Sequence, residues 1–440
     1  MADRYVRSTD GSDADGGTTW ALAKATLTGV AAIDTAGDRI FVSDNHAEST
    51  AAAIAFAWAG TAAAPVYVIC GDDSAEPPTA VAATGTVTTT GNSNISAAST
   101  GYAYIYGLTF IPGSGASGTA TFTGGAASAL THYKNCSFQL ASTGTSSRIN
   151  LPAAAAGKIT CEYCTFKFAA TAQSIQVTGY LVFIGGSLLS GGTSPTALLT
   201  GNGNGINALF EGVDLVNAAA GINLGADSGN DQIVTFRNIK LPASWSGSVN
   251  SSTPGLGSRW SMYNGDSGDT NYNLWIKTQF GEITSETTII KTGGASDGTT
   301  GLSWHMVSNA NAEFPMETLV SDEIIKWNDT TGSPITVTVD IIHDSVTNIQ
   351  NDEIWLEVQY LGTSGFPLGS FIRDSAADIL ATPADQTDSS STWTTTGLTN
   401  PNTQQLNVTF TPQEKGFIHA KVCLALASKT VYVDPVLQVS

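Results

Sequence analysis

Apolar and polar positions recur along the middle of the chain in a six-residue pattern. Six windows carry it: IYGLTF (105–110), YKNCSF (133–138), CEYCTF (161–166), FIGGSL (183–188), FEGVDL (210–215) and FRNIKL (236–241). The first residue is apolar or aromatic, and the third is Gly or Asn except at Tyr163. The fourth is mostly small or apolar, the fifth is polar and the sixth is Phe or Leu. The closing residues Phe110, Phe138, Phe166, Leu188, Leu215 and Leu241 are spaced by 28, 28, 22, 27 and 26 residues. Self-similarity at such a period marks a repeat architecture. A Gly-rich, strand-like repeat of this length predicts one coil of a parallel β-solenoid. A single coil cannot bury its interior face, whereas coils stacked about 4.8 Å apart bury a continuous column. Positions one, four and six then form interior ladders. Position three becomes a tight corner, where φ > 0 costs Gly and Asn little. DRIFVSDN (38–45) and VYVICGDD (66–73) follow the same rhythm one coil apart.

The pattern changes at both ends. In DGSDADGGTTWALAKATLTGVAAIDTAGDRIFV, Thr18 or Thr19 can cap a short helix, and Trp20, Leu27 and Val30 fall near one face. Such a segment closes the open end of a solenoid, which would otherwise template aggregation. The stretch KTGGASDGTTG (291–301) reads as a linker or turn. After it come alternating runs such as ITVTVDII (335–342), EIWLEVQYL (353–361) and GFIHAKVCLAL (416–426). Period two over several short strands predicts an antiparallel β-sandwich of jelly-roll type. The expected fold is therefore all-β. An N-terminal arm and capping helix (1–38) precede a parallel β-helix (39–300), and the sandwich follows (305–440).

CEYC at 161–164 has CxxC spacing, which fits a zinc knuckle, a redox pair or simple packing. In the repeat, Cys161 takes the slot of Phe183 and Phe210, and Cys164 that of Cys136 and Val213. That favours three buried thiols acting as small hydrophobes. Zinc would need two more ligands, with only His132 and Cys136 nearby. The βαβ context of redox motifs is missing. A bridge between Cys136 and Cys164, one coil apart, stays open. No metal and no cofactor are expected. DGSDADGG fails the EF-hand pattern, because placing Gly16 at loop position 6 leaves Gly11 and Leu22 at positions 1 and 12.

Charged residues make up only 12% of the chain, and the formal net charge is −19, which disfavours nucleic acid and anionic membrane surfaces. The start, MADRYVRSTDGSD, has no apolar h-region, so no secretory signal is expected, and the Ala-rich run 51–70 reads as strand and turn rather than membrane span. Five cysteines without framework spacing indicate folding in a reducing compartment.

Polysaccharide hydrolysis needs a carboxylate pair roughly 5–10 Å apart. Between 101 and 210 there is one acid, Glu162, at an outward pleat position. Position five of the windows reads Thr109, Ser137, Thr165, Ser187, Asp214 and Lys240, mostly hydroxyls with no acid ladder. If the chain is an enzyme, the acids to carry it are Glu211, Asp214, Asp266 and Asp269. The pairs Asp227/Asp231 and Glu282/Glu286 fit ordinary turn chemistry. Seven of nine Trp lie at 245 or later. Trp rings stack on sugar faces and also anchor interfaces. Trp393, in a polar run, and Trp355, out of phase with Ile354, Leu356 and Val358, are the candidate glycan platforms.

Tyr5-Val6-Arg7, Gly11-Ser12-Asp13, Trp20-Ala21 and Gly37-Asp38-Arg39-Ile40-Phe41-Val42 resemble the N-terminal cap of right-handed parallel β-helix proteins of the pectate-lyase-like class. The closing stretch NDEIWLEVQYLGTSGFPLGSF … TWTTTGLT … VTFTPQEKGFIHAKV … TVYVDP resembles sandwich domains of phage structural proteins. The whole layout is similar to bacteriophage virion surface proteins: head spikes, decorations, fibres and tailspikes. The resemblance implies a right-handed β-helix on a virion surface, other virion proteins as partners, host-surface polysaccharide as a ligand, and homo-oligomers, usually trimers. Enzymatic tailspikes of this fold carry acids along a groove, and this chain departs from that pattern. The expectation is thus a non-catalytic structural or adhesion protein. A tailspike-type depolymerase is the alternative, and a secreted adhesin is a third reading that the missing signal disfavours.

Overall fold

The computed structural model describes residues 2–97, 101–115, 118–125, 130–152, 157–268, 270–286, 304–310, 316–319, 325–343, 354–362, 404–412, 415–425, 427–433 and 438–440. The chain divides into two compact units, Met1–Asp269 and Thr270–Ser440.

The first unit is a parallel β-solenoid of about eight turns. Its first face begins with Asp3–Val6 and continues through Arg39–Ser43, Val66–Gly71, Ala103–Tyr106, Leu130–Lys134 and Lys158–Glu162. The later parts of Ser174–Ile184 and Ala197–Glu211 follow, then Ile233–Arg237 and Arg259–Asp266. Every pairing along it is parallel. Register brings Ile40, Val68, Ile105, Tyr133, Cys161, Phe183, Phe210, Phe236 and Met262 into one column. All nine are buried. This is position one of the sequence repeat, and it includes the one-coil relation between DRIFVSDN and VYVICGDD.

The second face runs through Ala47–Thr50, Gly85–Thr89, Leu108–Ile111, Ser137–Gln139, Thr165–Lys167 and Ser187–Leu188. Phe110, Phe138, Phe166 and Leu188 are in register on it, and they are buried together with Leu215 and Leu241. Phe138 stacks between Phe110 and Phe166 at centroid distances of 5.9 and 5.6 Å. A second ring column forms on the first face, where Phe210 lies 4.7 Å from Phe183 and 4.8 Å from Phe236. These distances match the strand spacing, so identical rings on successive coils pack face to face without distortion. Burying each Phe or Leu contributes about 1.5–3 kcal/mol. The ladder's repetition is therefore the main source of this unit's stability. A third face closes each coil, with Ile54, Ile95, Phe122, Ile149, Ile175 and Leu199 in register and buried.

Position three of the repeat makes the corner between the first and second faces. Gly107, Asn135, Tyr163, Gly185, Gly212, Asn238 and Asn264 all have positive φ, between 50° and 76°. Their N–H groups stay in the ladder. Gly107 donates to the Lys134 carbonyl, Asn135 to Glu162, Tyr163 to Ile184, Gly185 to Glu211, Gly212 to Arg237 and Asn238 to Tyr263.

The N-terminal cap follows its sequence signals. Thr19 caps the turn Trp20–Leu22, and Thr26 caps a short helix, Leu27–Ala31. Trp20, Leu27 and Val30 are buried. Trp20 packs edge-on against Tyr5, with centroids 4.9 Å apart, and the two cover Phe41 and Ile69 on the outside of the first coils. The carboxylate of Glu48, buried in the first coil, accepts the Leu27 N–H at 2.9 Å and ties the helix down. DGSDADGG is a turn: Asp13 accepts from the Ala25 and Thr26 amides at 3.0 and 3.1 Å. Among the described residues no helix is long and apolar enough to cross a membrane.

The parallel stack is followed as far as Arg259–Asp266. Asn271–Thr278 already pairs antiparallel with Gly281–Glu286, which pairs antiparallel with Trp304–Ser308. The two units divide at 269/270, and the inward ladder of Phe and Leu stops at the same place. The Gly-rich run 291–301 that the sequence suggested as a linker lies outside the described residues. In the second unit Ile335, Val337, Val339 and Ile341 are buried while Thr336 and Thr338 are half-exposed, as period two requires. They share one core with Ile354, Leu356, Ile418, Val422 and Leu424 from a separate set of antiparallel strands. Residues 344–353 and 363–403, on which a jelly-roll order would be decided, lie outside the described residues.

Candidate functional site

In a parallel strand, residues alternate between the interior and the outside. On the first face three outward columns result. One contains Tyr67, Tyr104, His132, Thr160 and Val182. The next contains Ile69, Tyr106, Lys134, Glu162, Ile184, Glu211, Arg237 and Tyr263. The third contains Leu130, Lys158, Tyr180, Asn207, Ile233 and Arg259. The N-terminal segment covers only the beginning of this face. Leu130, Tyr180, Ile184 and Ile233 are exposed large apolar residues on its remainder, and Tyr163 stands at its corner. Tyr180 and Ile184 flank Val182 on one strand, and exposed apolar groups gathered in this way suit a site of interaction.

Tyr67, Tyr104 and His132 form a run of rings in contact, with Tyr106, Tyr163 and Tyr180 standing elsewhere on the same face or at its corner. Tyr67 and Tyr104 are 6.1 Å apart by ring centroid, and Tyr104 meets the His132 ring edge-on at 5.0 Å. His132 Nε2 lies 3.1 Å from Glu162 Oε2, and Lys134 Nζ donates to Glu162 Oε1 at 2.6 Å. Asn135 Nδ2 donates to the Tyr106 hydroxyl at 2.9 Å. Lys158 Nζ sits 5.2 Å above the Tyr180 ring. Tyr163 is 55% exposed, and its ring lies over the backbone of the next coil, where a Cβ at Gly185 would come within 2.6 Å of it.

The electrostatics follow from these contacts. The Lys134 ammonium holds the Glu162 carboxyl below its ordinary range, against a smaller opposing effect of burial. Burial lowers the His132 pKa and outweighs the carboxylate beside it. The ring is therefore neutral at pH 7 and serves as a hydrogen-bonding and stacking group.

The residues singled out as catalytic are arranged differently. Ser187, Asp214, Lys240 and Asp266 form one outward column joined by parallel bridges. Asp214 and Asp266 are two coils apart, about 10 Å at the ladder spacing. Lys240 stands between them, its Nζ 4.0 Å from Asp214 Oδ2. Asp214 Oδ1 accepts the Val216 amide and Asp266 Oδ1 the Gly268 amide, which is turn chemistry. Glu211 lies across the Gly212 corner and accepts from Asn238 Nδ2 at 2.5 Å. Asp269 lies outside the described residues.

All five cysteines are free thiols, so the bridge between Cys136 and Cys164 is not formed. Cys136 donates to the Ile105 carbonyl and Cys164 to the Tyr133 carbonyl, each at 3.4 Å and each to the preceding coil. Burial pushes both thiols well above their usual range. Among the described residues no group of three or more His, Cys, Asp or Glu is placed to hold a metal ion. Within CEYC, Cys161 and Cys164 pack the interior while Glu162 and Tyr163 face outward.

Neither Trp candidate can be placed. Trp393 lies outside the described residues, as does the side chain of Trp355. Trp245 and Trp260 fill the interior of the last coils, donating to the Ile222 carbonyl and to Gln232 Oε1. Trp327 is 43% exposed, edge-on to Phe417.

No protein family and no curated protein matches the chain. Among solved structures, the tailspike protein 4 enzymatically active domain of bacteriophage CBA120 aligns over 94% of this chain and 65% of its own length. Sequence identity is 11% and the TM-score is 0.22. A superposition this loose says nothing about what this chain binds or catalyses.

The sequence reading named His132 only as a candidate zinc ligand and did not name Tyr67, Tyr104, Tyr106 or Lys134. A signal was available, because position two of the six windows reads Tyr106, Lys134, Glu162, Ile184, Glu211 and Arg237. That is one outward column of the solenoid.

Proposed function

We propose that this chain is a non-catalytic adhesion protein that presents the outer first face of its β-solenoid to a host-surface glycan, as a spike, decoration or fibre of a phage-like virion. One observation carries the reading: the tyrosine-rich strip of Tyr67, Tyr104, Tyr106 and Tyr163 on a rigid parallel scaffold. Flat amphipathic rings with a polar tip suit a pyranose, whose CH face stacks while its hydroxyls reach side-chain amides and carboxylates. Here those partners are Asn135, Glu162 and Lys134. The columns hold the rings at fixed intervals, so little side-chain entropy is lost on binding. The virion setting, the neighbouring virion proteins and assembly as trimers rest on the sequence resemblance.

The acids named for a depolymerase lean the same way. Lys240 separates Asp214 from Asp266, and Glu211 is held by Asn238, so neither arrangement leaves two free carboxylates facing one bond.

The test is incubation of the purified protein with capsular and lipopolysaccharide glycans of candidate hosts. Saturable binding without new reducing ends or unsaturated products is the expected result. Chain cleavage would instead establish the depolymerase. Cryo-electron microscopy of intact particles checks the virion setting.

A further inference from the structure

We infer that the glycan bound on this face is an acidic one, and that Arg237 and Arg259, converging on Tyr263, receive its carboxylate. The inference rests on the adhesion reading above and names the ligand class within it.

Charge distribution gives the first argument. From the coil of Ala103–Tyr106 onward, the outward residues of the first face carry four cations, Lys134, Lys158, Arg237 and Arg259, and two acids, Glu162 and Glu211. The face is +2 in a chain whose net charge is −19, so everything else sums to −21. A polyanion is repelled by the rest of the molecule and admitted here.

Pairing gives the second. With acids outnumbering Lys and Arg 37 to 18, a surface cation readily finds a carboxylate. Lys134 does. Among the described residues, Lys158, Arg237 and Arg259 have no ion-pair partner, and each lies against a tyrosine instead. Lys158 sits on Tyr180, the Arg237 guanidinium lies 5.7 Å over the Tyr263 ring, and Arg259 Nη2 donates to the Tyr263 hydroxyl at 3.1 Å. A guanidinium held against an aromatic ring with no carboxylate partner keeps N–H donors available, and it can take a carboxylate by two parallel hydrogen bonds. Glu211, the acid in register beside Arg237, is occupied by Asn238. Both arginines are exposed. Lys158, Tyr180, Asn207, Ile233 and Arg259 share one column, so the cations mark two ends of a track about 19 Å long at the ladder spacing. That length spans several sugar units.

The experiment is calorimetric binding of polygalacturonate, alginate and hyaluronan, each beside its carboxyl-reduced form, to the wild-type protein and to an Arg237→Gln/Arg259→Gln variant. The expected result is binding of at least one acidic polymer, weakened about tenfold or more both by carboxyl reduction and by the double substitution. Unchanged thermal unfolding of the variant excludes misfolding as the cause. Equal affinity for an acidic polymer and its reduced form would overturn the acidic class and leave the adhesion reading standing. Equal affinity for polyphosphate would overturn it as mere polyanion attraction. Failure of all six polymers and of the host glycans to bind would overturn both.

Discussion

Asn135 and Tyr163 occupy the same corner of successive coils and share one backbone conformation, with φ of 51° and 52°. Asn is at home there and Tyr is not. An ordinary L-residue in the left-handed region costs roughly 1–2 kcal/mol. Every other corner from Gly107 to Asn264 is Gly or Asn, so Tyr163 is held against a preference that its neighbours obey. A strained residue that is also exposed and aromatic points to a contact with something outside the chain.

Tyr163→Asn is accordingly expected to leave the fold intact and to raise the unfolding free energy by about 1 kcal/mol, less the contact of the ring with Gly185. The same substitution should weaken glycan binding. Denaturant titration and calorimetry on one protein sample read both quantities. A variant that is clearly less stable would mean that the ring, not the backbone, dominates at this corner.

The interior ladder makes a second, sharper contrast. Phe138 is stacked on both sides, so Phe138→Ala leaves a cavity with no means of collapse and should cost about 3–5 kcal/mol. Cys136→Ala and Cys164→Ala remove only a sulfur from well-filled slots, and about 1 kcal/mol each is expected. Both thiols should resist iodoacetamide in the folded protein and react after unfolding, since burial keeps them protonated. A strong zinc chelator should leave the melting temperature unchanged. A fall on chelation would return CEYC to the metal reading.

Acid should loosen the centre of the strip. The Glu162 carboxyl has a lowered pKa in the folded state, so its stabilisation is present above the ordinary carboxylate pKa and lost as pH falls through the folded value. His132 is also lowered, from an ordinary value of 6.5. The unfolded chain takes up that proton first, so lowering pH below about 6.5 already favours unfolding. The two effects add in sign and occupy different windows. Unfolding midpoints followed from pH 8 down to well below the ordinary carboxylate value of 4.5 should fall in two stages. His132→Gln should flatten the upper stage and Glu162→Gln the lower. A profile unchanged in both variants would mean that neither group is linked to stability.

Much of this fold is legible in the chain because a parallel solenoid repeats in register. Phe110, Phe138 and Phe166 are 28 residues apart and land on one line, and the Gly/Asn corner can be read from six windows. The binding face is harder to see. Tyr67 and Tyr104 are neighbours across 37 residues of sequence, while Tyr104 and His132 are neighbours across 28, because the loops between faces differ in length from coil to coil. Outward positions also tolerate any residue type, so Tyr106, Lys134 and Glu162 share no chemistry that would align them. Their relation emerges only once the inward positions have fixed the register. Trp245 and Trp260 are large enough to fill the last coils, and their polar N–H groups find partners inside. Trp393 and the side chain of Trp355, the platforms the sequence suggested, lie outside the described residues.

The strip makes a prediction that separates the two units. Tyr104 stands between Tyr67 and the edge of His132, and Tyr106 is fixed by the Asn135 amide. Tyr104→Ala removes a sugar platform and also the support of its neighbours. It should weaken glycan binding more than Tyr67→Ala does, with a loss of at least about 1 kcal/mol, or roughly fivefold. Tyr106→Phe should weaken binding less than Tyr106→Ala, since the ring stays and only the hydroxyl held by Asn135 is lost. In the second unit Trp327 is exposed, edge-on to Phe417, with its Nε1 donating to Asp329 at 3.0 Å. Trp327→Ala should cost a little stability and leave glycan affinity unchanged. Should Trp327→Ala abolish binding while Tyr104→Ala leaves it intact, the ligand belongs to the second unit and the solenoid face is not the adhesive surface.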